Sequence, residues 1–403
     1  MLRARRSAEP RSLGQRQLKS DAGGRDPQAF DDHADVNERA DVVVIGGGVM
    51  GAASLRYLAE LGCERPVLLE RDTLGCGSTG NCAGGVRTLF SDELNVRIGL
   101  ESIRRLQRFE EEVGEQLDLR LDGYLFLLDN PADVARFESD LVHQAVAEIE
   151  TRMLTPAEAG EIVPQLVVDD LCGAVLNAMA GIVTPDLVVQ GCARRAAQLG
   201  ARVEQSCPVE RIIVEGRRVT GVETRRGRID ADCVILTAGV WSRELAATTG
   251  LDLPVEPERR SMYVTGEAPQ FPERLPLTID FSSSFYFHRE GAAVLFGGRD
   301  PSLDDLAPCA ARRVPALAEL EVRHTIWGYY EMSPDHNALI GAAAEPEGLM
   351  YATGFSGHGF QQGLVVGEHL AELALGLDPT FDLSQFAVER FAGGTERAEL
   401  NVI

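Results

Sequence analysis

One stretch near the start of the chain, residues 41–51, constrains the fold more than any other. Its β-branched run Val42–Ile45 predicts a parallel strand that is buried on both faces. The run breaks into a G-x-G-x-x-G pattern, and apolar residues over 49–61 then recur at helical spacing. The sequence therefore predicts a strand, a tight glycine turn and a helix, which form the first part of a βαβ unit.

Each glycine of this pattern has its own task in binding a dinucleotide. Gly46 allows the tight turn, Gly48 lets a pyrophosphate approach the backbone, and Gly51 lets the helix lie close to the strand. A second strand, Pro66–Leu69, is followed by Glu70, about 20 positions on, where the fingerprint places a partner for a ribose hydroxyl. We therefore predict a dinucleotide site; the acidic residue disfavours NADP, and the fingerprint alone leaves NAD and FAD open.

Length, charge and cysteine content limit the class of protein further. At 403 residues the chain is longer than a chain that folds around one ordinary hydrophobic core, so two domains are expected. A net charge of −23 disfavours nucleic acid as a partner. Its apolar runs are shorter than the roughly 18 residues of a membrane-spanning helix, so we expect no transmembrane segment. Eight cysteines without a C-x-x-C pair predict no metal site and a reducing, cytoplasmic location, with peripheral membrane attachment left open.

Residues 1–40 differ from the rest of the chain. They combine Arg, Asp, Gly, Pro and Gln with few large apolar residues, so we predict a disordered extension. Arg5 and Arg6 are not followed by the apolar segment of a twin-arginine signal. A targeting segment and an over-extended start both stay open.

The remaining pattern predicts two kinds of sheet. Residues 74–87 form a glycine-rich loop that can wrap a flat ligand. Alternating strands between 253 and 330 predict a mainly antiparallel sheet, and residues 351–375 predict a strand, a glycine-rich loop and a helix. Further helices are expected over 101–117, within 140–168, and over 187–199 with Thr184 as its cap.

Four stretches together resemble the D-amino-acid oxidase superfamily of FAD enzymes, particularly its sarcosine oxidase, dimethylglycine dehydrogenase and glycine oxidase branch. They are residues 42–51, 233–242, 331–341 and 354–361. The resemblance favours FAD over NAD, because NAD dehydrogenases do not pair the N-terminal fingerprint with a matching C-terminal loop. It implies an α/β fold, α+β overall, in which a Rossmann-like FAD-binding domain (41–122, 181–252, 331–385) is interleaved with a mainly antiparallel-sheet substrate domain (123–180, 253–330), before a tail at 386–403.

The same resemblance implies a set of cofactor-binding residues. For the ADP half they are Gly46, Gly48, Gly51, Glu70 and Arg71, with Val209 and Gly239 at the adenosine end and Ser78 and Thr79 near the diphosphate or ribityl chain. The residues implied to hold the isoalloxazine ring are Gly357, His358, Gly359, Phe360 and Gln361. The alternative for His358 is a buried core histidine. Relatives tether flavin through positions that are Gly328 and Asn81 here, so we expect FAD to be bound non-covalently.

The activity that the resemblance implies is oxidation of a small secondary or tertiary amino acid, such as sarcosine, dimethylglycine or proline, or of a glycine-like amino acid, by hydride transfer to flavin N5. The substrate carboxylate needs a cation, for which Arg87 is the first choice and Arg289 and Arg299 are the second. Aromatic and basic residues are predicted to form the pocket walls, each with sheet packing as the alternative, namely Tyr263, Tyr286, His288, Tyr329 and Tyr330.

The electron acceptor is predicted from a missing residue type. Oxidases of this family place lysines near the flavin, one of them at the position of Gln361, whereas Lys19 is the only lysine of this chain. Because a fixed cation stabilises the superoxide-like intermediate of oxygen reduction, we expect a dehydrogenase that passes electrons to a quinone, an electron-transfer flavoprotein or a partner subunit. The second hypothesis is a non-catalytic flavoprotein subunit or assembly factor that binds a partner protein.

Overall fold

A computed structural model describes residues 38–146, 149–299 and 302–402. The predictions for residues 1–37 lie outside this range. In chain order the strands are β1 (Glu38–Arg39), β2 (Val42–Ile45), β3 (Pro66–Leu69), β4 (Gly85–Val86), β5 (Tyr124–Leu128), β6 (Thr151–Leu154), β7 (Gly173–Asn177), β8 (Gly181–Ile182), β9 (Arg202–Glu204), β10 (Val209–Glu215), β11 (Arg218–Thr224), β12 (Gly227–Asp230), β13 (Val234–Leu236), β14 (Glu256–Thr265), β15 (Leu277–Asp280), β16 (Phe285–Glu290), β17 (Ala293–Gly297), β18 (Val322–Met332), β19 (Leu339–Ala342) and β20 (Leu349–Thr353). The helices are α1 (Val49–Glu60), α2 (Glu93–Gln107), α3 (Phe109–Val113), α4 (Pro131–Val146), α5 (Pro156–Ile162), α6 (Pro185–Gln198), α7 (Ser242–Ala247), α8 (Leu303–Arg313), α9 (Pro315–Ala318), α10 (Gly359–Ala374) and α11 (Arg390–Gly393).

A six-stranded sheet in the order β19-β20-β13-β2-β3-β9 forms the first layer of the fold. All its pairings are parallel except that between β19 and β20. Every residue of β2, β3 and β13 is buried, as their continuous apolar runs predict. Helices α1, α6 and α10 pack on one face, and the small sheet β1-β12-β11-β10 packs on the other.

An eight-stranded sheet in the order β18-β14-β17-β16-β15-β5-β7-β6 forms the second layer. Its pairings are antiparallel except for that between β5 and β15. Helices α5, α8 and α9 cover one face. Strands of the two large sheets alternate along the chain, so the predicted mixed α/β class with two interleaved units is confirmed; the domain boundaries themselves stay predictions.

Two helix predictions are wrong because tertiary pairing and capping override local periodicity. The helix predicted over 101–117 begins earlier, since the Asp92 side chain accepts the N–H groups of Leu94 and Asn95 at 2.9 and 3.3 Å. Residues 140–168 are not one helical stretch: β6 pairs with β7, and a capping box of Thr155 and Glu158 starts α5.

Three smaller predictions also need correction. Thr184 precedes α6 but makes no capping bond; its hydroxyl donates to Asp118 at 2.6 Å instead. Residues 38–40 are not disordered, because β1 pairs with β12 and Ala40 is buried. The segment predicted as a polar tail at 386–403 packs onto the fold, with Arg390 in a buried ion pair with Asp335 at 2.8 Å. In the described part of the chain, no helix has both the length and the apolar character to cross a membrane.

The contact between β2 and α1 gives a prediction about stability. A Cβ atom at Gly51 would lie 1.9 Å from the carbonyl oxygen of Gly46, which is backbone and cannot turn away. We expect Gly51→Ala to lower the free energy of unfolding by about 1–3 kcal/mol or more in urea titrations. Gly160→Ala is the matched control in α5, where the nearest atom would be 3.6 Å away; it should be neutral or stabilising by up to about 1 kcal/mol. Equal stability of the two variants would contradict the proposed close contact.

Candidate active site

A cavity of about 440 Å³ lies between the two large sheets, within the roughly 300–1,000 Å³ range of small-molecule sites. The carboxyl ends of β2, β3 and β13 and the starts of α1 and α10 border it, as do the loop after β3 and one face of the eight-stranded sheet. Ligands of open parallel sheets bind at this edge, where the helix N–H groups point outward.

The glycine turn after β2 forms one end of the cavity. Gly46 has φ +105°, and a Cβ there would lie 2.5 Å from the carbonyl oxygen of Thr237. Beside it, Thr79 Oγ1 accepts the N–H of Val49 at 3.2 Å, and Glu70 accepts the N–H of Gly47 at 2.6 Å. These two N–H groups are thus bound within the protein, and Gly46 and Gly48 present bare backbone to the cavity, which suits the close approach of a diphosphate.

The sequence-predicted cofactor residues meet here with one exception. Gly51 lies behind the turn and acts through packing. All the others line the cavity, namely Gly46, Gly48, Glu70, Arg71, Ser78, Thr79, Val209, Gly239, Gly357, His358, Gly359, Phe360 and Gln361.

The start of α10 supplies two buried nitrogen atoms that have no hydrogen-bond partner among the described residues. Gln361 accepts the N–H of Arg87 at 2.7 Å through its side-chain oxygen, which leaves its Nε2 unpaired, and His358 Nε2 is likewise unpaired. Burial lowers the pKa of His358 to about 4, so the ring is neutral at pH 7. Because buried polar groups normally have partners, these two nitrogens indicate a ligand with hydrogen-bonding groups at this end of the cavity.

Aromatic side chains of the eight-stranded sheet form the opposite wall. Tyr124, Tyr286 and Tyr330 line the cavity, and burial raises the pKa of all three phenols. Each ring lies against a glycine, where a Cβ would come within 1.7 to 2.5 Å of a ring or hydroxyl atom, namely Gly85, Gly297 and Gly357. Tyr329 also lines the cavity and makes edge contacts with Trp241 and Trp327.

Four predicted residues lie outside the cavity lining, which corrects two predictions for the pocket wall, Tyr263 and His288, and the two second choices for the carboxylate partner, Arg289 and Arg299. Tyr263 stacks on Phe296 at 5.5 Å in the core on the other face of the sheet. His288 shares the face of Tyr286 but is enclosed away from the cavity, and burial lowers its pKa to about 4. Arg289 donates to the Ala268 carbonyl at 2.8 Å, and Arg299 is exposed.

Arg87 is the cation that the sequence singled out and that the structure brings into the cavity. Its Nη2 donates to the carbonyl of Asn401 at 2.6 Å and its Nη1 to the carbonyl of Leu89, while Phe90 lies 4.1 Å below the guanidinium. Burial lowers its pKa, and the charge of Glu399 partly opposes this shift. Within residues 38–146, 149–299 and 302–402, no carboxylate is within ion-pair distance of Arg87.

Sequence reasoning missed several residues of the lining. Arg260 lines the cavity over the Tyr330 ring at 4.9 Å, with an ion pair to Glu258 and an unpaired Nε. Glu331, within one of the resembling stretches, is half-buried in the lining and accepts the Thr353 hydroxyl at 2.8 Å. Val402 belongs to the supposed tail. Side chains two residues apart on a strand lie on the same face of the sheet, so Arg260 shares a face of β14 with Met262, which also lines the cavity. This alternation is the sequence pattern that could have indicated Arg260.

One group of three potential metal ligands occurs in the described ranges, namely Glu70, Asp72 and Cys76. It borders the glycine turn, two of its members are exposed, and Glu70 already accepts two backbone N–H groups. It therefore carries no metal-site proposal.

Comparison with known proteins agrees with this geometry. The family model described as FAD dependent oxidoreductase matches residues 41–373. Mitochondrial sarcosine dehydrogenase of Homo sapiens is 31% identical over 380 residues, which cover 87% of this chain and 41% of that protein. Mitochondrial dimethylglycine dehydrogenase of Mus musculus is 27% identical, with coverages of 89% and 45%. The chain thus spans less than half the length of these two curated relatives. The crystal structure of L-proline dehydrogenase from P. horikoshii has a TM-score of 0.84 at 29% identity, covering 89% of this chain and all of that one.

Glu331 gives a prediction about pH. Burial raises its pKa from an ordinary 4.5 to about 7, so between these values the folded state holds a proton that the unfolded state has released. The free energy of unfolding of the cofactor-free protein should therefore fall as pH rises through this window, by up to about 3 kcal/mol. Glu331→Gln should lose this dependence in urea titrations at pH 4.5 and 7.5, whereas the exposed Glu396→Gln should keep it. Parallel pH profiles for wild type and Glu331→Gln would contradict the assignment.

Proposed function

We propose a reaction for this chain, which belongs to the family of FAD-dependent oxidoreductases: oxidation of the C–N bond of a small secondary or tertiary amino acid. Sarcosine, dimethylglycine and proline define the substrate class, and a glycine-like primary amino acid is the neighbouring possibility. Bound FAD would supply the redox chemistry as the hydride acceptor, and hydrolysis of the oxidised C–N bond by water would complete the reaction. The observation that carries the proposal is Arg87, a buried cation without a carboxylate partner in the described residues, facing a cavity walled by tyrosines.

The residues that would hold FAD are those of the glycine turn and the start of α10. The bare turn at Gly46 and Gly48 suits the diphosphate, and the unpaired nitrogens of His358 and Gln361 suit the polar edge of a flavin ring. We propose that FAD is bound non-covalently, because Gly328 and Asn81 offer no nucleophile. The adjacent Cys82 lines the cavity, but burial raises its pKa to about 11 and keeps the thiol protonated.

Arg87 is the proposed partner of the substrate carboxylate. A guanidinium has five N–H donors, so its terminal nitrogens can donate to Leu89 and Asn401 and still offer N–H groups to a ligand. Arg260 is the other cation that we assign to this wall, but Glu258 already neutralises it. An anionic ligand therefore gains more charge compensation at Arg87.

The tyrosine wall would prepare the amine for oxidation. Loss of a hydride requires a neutral amine, and a dry aromatic cavity lowers the amine pKa by disfavouring its charged form. Tyr124 and Tyr286 are buried and Tyr330 is half-buried in the lining of the cavity that Arg87 also borders, and their raised phenol pKa values keep them uncharged. They thus exclude water without adding charge.

We propose that the acceptor of the electrons is not oxygen but a quinone, an electron-transfer flavoprotein or a partner subunit. Gln361 lies in the cavity where the family's oxidases have lysine, and His288 is neutral and outside the lining, so neither supplies the cation that assists oxygen. Arg71, Arg87 and Arg260 are the arginines of the lining. We assign Arg71 to the ADP half and Arg87 to the substrate carboxylate, and Glu258 already neutralises Arg260.

The test of the proposed function is anaerobic bleaching of the purified yellow protein, followed in the same cell by reoxidation. Sarcosine, dimethylglycine, proline and glycine are added in turn, and absorbance is followed at about 450 nm, where oxidised flavin absorbs. We expect at least one to bleach it, a dye to restore the colour rapidly, and air-saturated buffer to do so slowly. Acid precipitation should release the flavin. No bleaching by any amino acid would favour the non-catalytic hypothesis, and rapid reoxidation by oxygen with stoichiometric peroxide would make it an oxidase.

Arg87 can be tested separately from the cofactor. Loss of a charge-assisted bond worth about 1.5–3 kcal/mol predicts that Arg87→Ala weakens amino-acid binding by about 10–150-fold, while FAD affinity changes little. Arg87→Lys should recover part of the loss because it keeps the charge, and Arg299→Ala, an exposed arginine, should behave as wild type. Equal loss of FAD and substrate affinity would make Arg87 a cofactor residue.

A further inference from the structure

Residues 397–402, here named the closing segment, pack against the substrate end of the cavity. Val402 lines the cavity, and the main-chain carbonyl of Asn401 accepts the Arg87 Nη2 bond at 2.6 Å. The N–H of Glu399 donates to the carbonyl of Asp335 at 3.0 Å. The segment is therefore part of the wall around Arg87, although its polar composition predicts a tail.

One carboxylate anchors the closing segment. Glu399 is only 1% exposed, and its oxygens accept five hydrogen bonds. The donors are the N–H and hydroxyl of Ser91, both at 2.9 Å, the N–H of Asp92 at 3.3 Å, Nδ2 of Asn95 at 3.0 Å and the N–H of Asn401 at 3.0 Å. The carboxylate thus joins the start of α2 to the closing segment.

This arrangement keeps Glu399 charged without an ion pair. Burial acts to raise its pKa, but the net shift is downward, because the Ser91 N–H, the charge of Arg87 and the Asn401 N–H stabilise the carboxylate. In the portion of the chain that the structure describes, no cation lies within ion-pair distance of it. A buried carboxylate that lost these donors would bear a large desolvation penalty, so the segment is held firmly in place.

The turn that Glu399 closes sets the direction of the next carbonyl group. Its carboxylate accepts the N–H of Asn401 two residues on, while the N–H of Leu400 donates to the Ser91 hydroxyl at 2.8 Å. The side chain of Asn401 donates to Asp140 at 3.1 Å. With both sides of the turn fixed, the carbonyl of Asn401 has one orientation, toward Arg87.

We propose that Glu399 is a positioning residue for substrate recognition: by fixing the turn over 399–401 it orients Arg87 toward the substrate carboxylate. This inference rests on the proposed function, since it takes Arg87 as the partner of a carboxylate. Glu399 itself touches neither substrate nor cofactor. The signature of the role is selectivity for a carboxylate, which a purely structural role would leave unchanged.

The experiment titrates the FAD-loaded full chain with a matched pair of probes. Methoxyacetate replaces the nitrogen of sarcosine by oxygen and keeps the carboxylate, whereas methoxyacetamide has the same shape without the charge. Binding is followed through the flavin absorption spectrum. The wild type should bind methoxyacetate more tightly, and Glu399→Ala should weaken methoxyacetate by about tenfold or more while methoxyacetamide and FAD affinities stay unchanged.

Two further variants complete the design. Ser91→Ala removes one of the five hydrogen bonds and should reduce the preference for methoxyacetate by about threefold, which keeps the test available if Glu399→Ala fails to fold. Glu396→Ala removes an exposed carboxylate of the same tail and should match the wild type.

The outcomes separate the two proposals. A wild type without preference for methoxyacetate overturns carboxylate recognition by Arg87 and, with it, the role of Glu399. A preference that persists in both Glu399→Ala and Ser91→Ala overturns the role of Glu399 alone. Equal weakening of both probes and FAD shows general damage to the fold and also overturns it.

Discussion

The close contact between α1 and α10 is the constraint on which the site depends. A Cβ atom at Gly363 would lie 2.5 Å from Val49 Cγ2, and one at Gly367 would lie 2.5 Å from the Cβ of Ala53. Without side chains at these two positions, the helices approach until their backbones nearly touch. Both helix starts consequently open onto the same cavity, and each contributes N–H groups and positive dipole ends there. A cofactor with negative charge at both its phosphate and its ring would therefore lie against the positive N-terminal ends of two helices that are far apart in sequence.

The second sheet completes the site by bringing apolar area, and Arg87, which directly follows the short strand β4, adds a charge that no carboxylate of the described residues pairs with. Tyr124, Tyr286 and Tyr330 reach the cavity because glycines lie opposite their rings. Among them Arg87 is fixed by carbonyl groups instead of carboxylates. Carbonyl dipoles hold a guanidinium in place without cancelling its charge, so the charge stays available to an anionic ligand. Arg390, which Asp335 neutralises, lacks this availability, and for this reason we assign Arg87 to the proposed ligand site and Arg390 to the fold.

The parts of the fold that follow from local chemistry could be predicted from the sequence. Local sequence determines the glycine turn, β2, β3 and the start of α10, because each depends on residues within a few positions of each other. The sequence therefore predicted the residues that these elements contribute to the cavity. The pocket wall depends on strand register, which local pattern does not give. Tyr263 and Tyr286 both lie on strands, yet only Tyr286 faces the cavity. Tyr263 of β14 is paired with Phe296 of β17, and its side chain faces the core on the opposite side of the sheet, under α5, α8 and α9. The closing segment was missed because its contacts join residues about 300 positions apart.

The charge pattern around the closing segment connects fold and chemistry. The chain is strongly acidic overall, at −23, so an arginine without a carboxylate partner is not explained by a shortage of acids. Glu399 is the nearby acid, and its oxygens are occupied by neutral donors from α2 and from its own segment. Because Glu399 is bound by neutral donors and Arg87 by carbonyl groups, the two buried charged side chains lie near each other without an ion pair. Such an ion pair would neutralise the charge of Arg87. The hydrogen bonds that order the segment therefore also preserve the charge with which Arg87 can bind a substrate carboxylate.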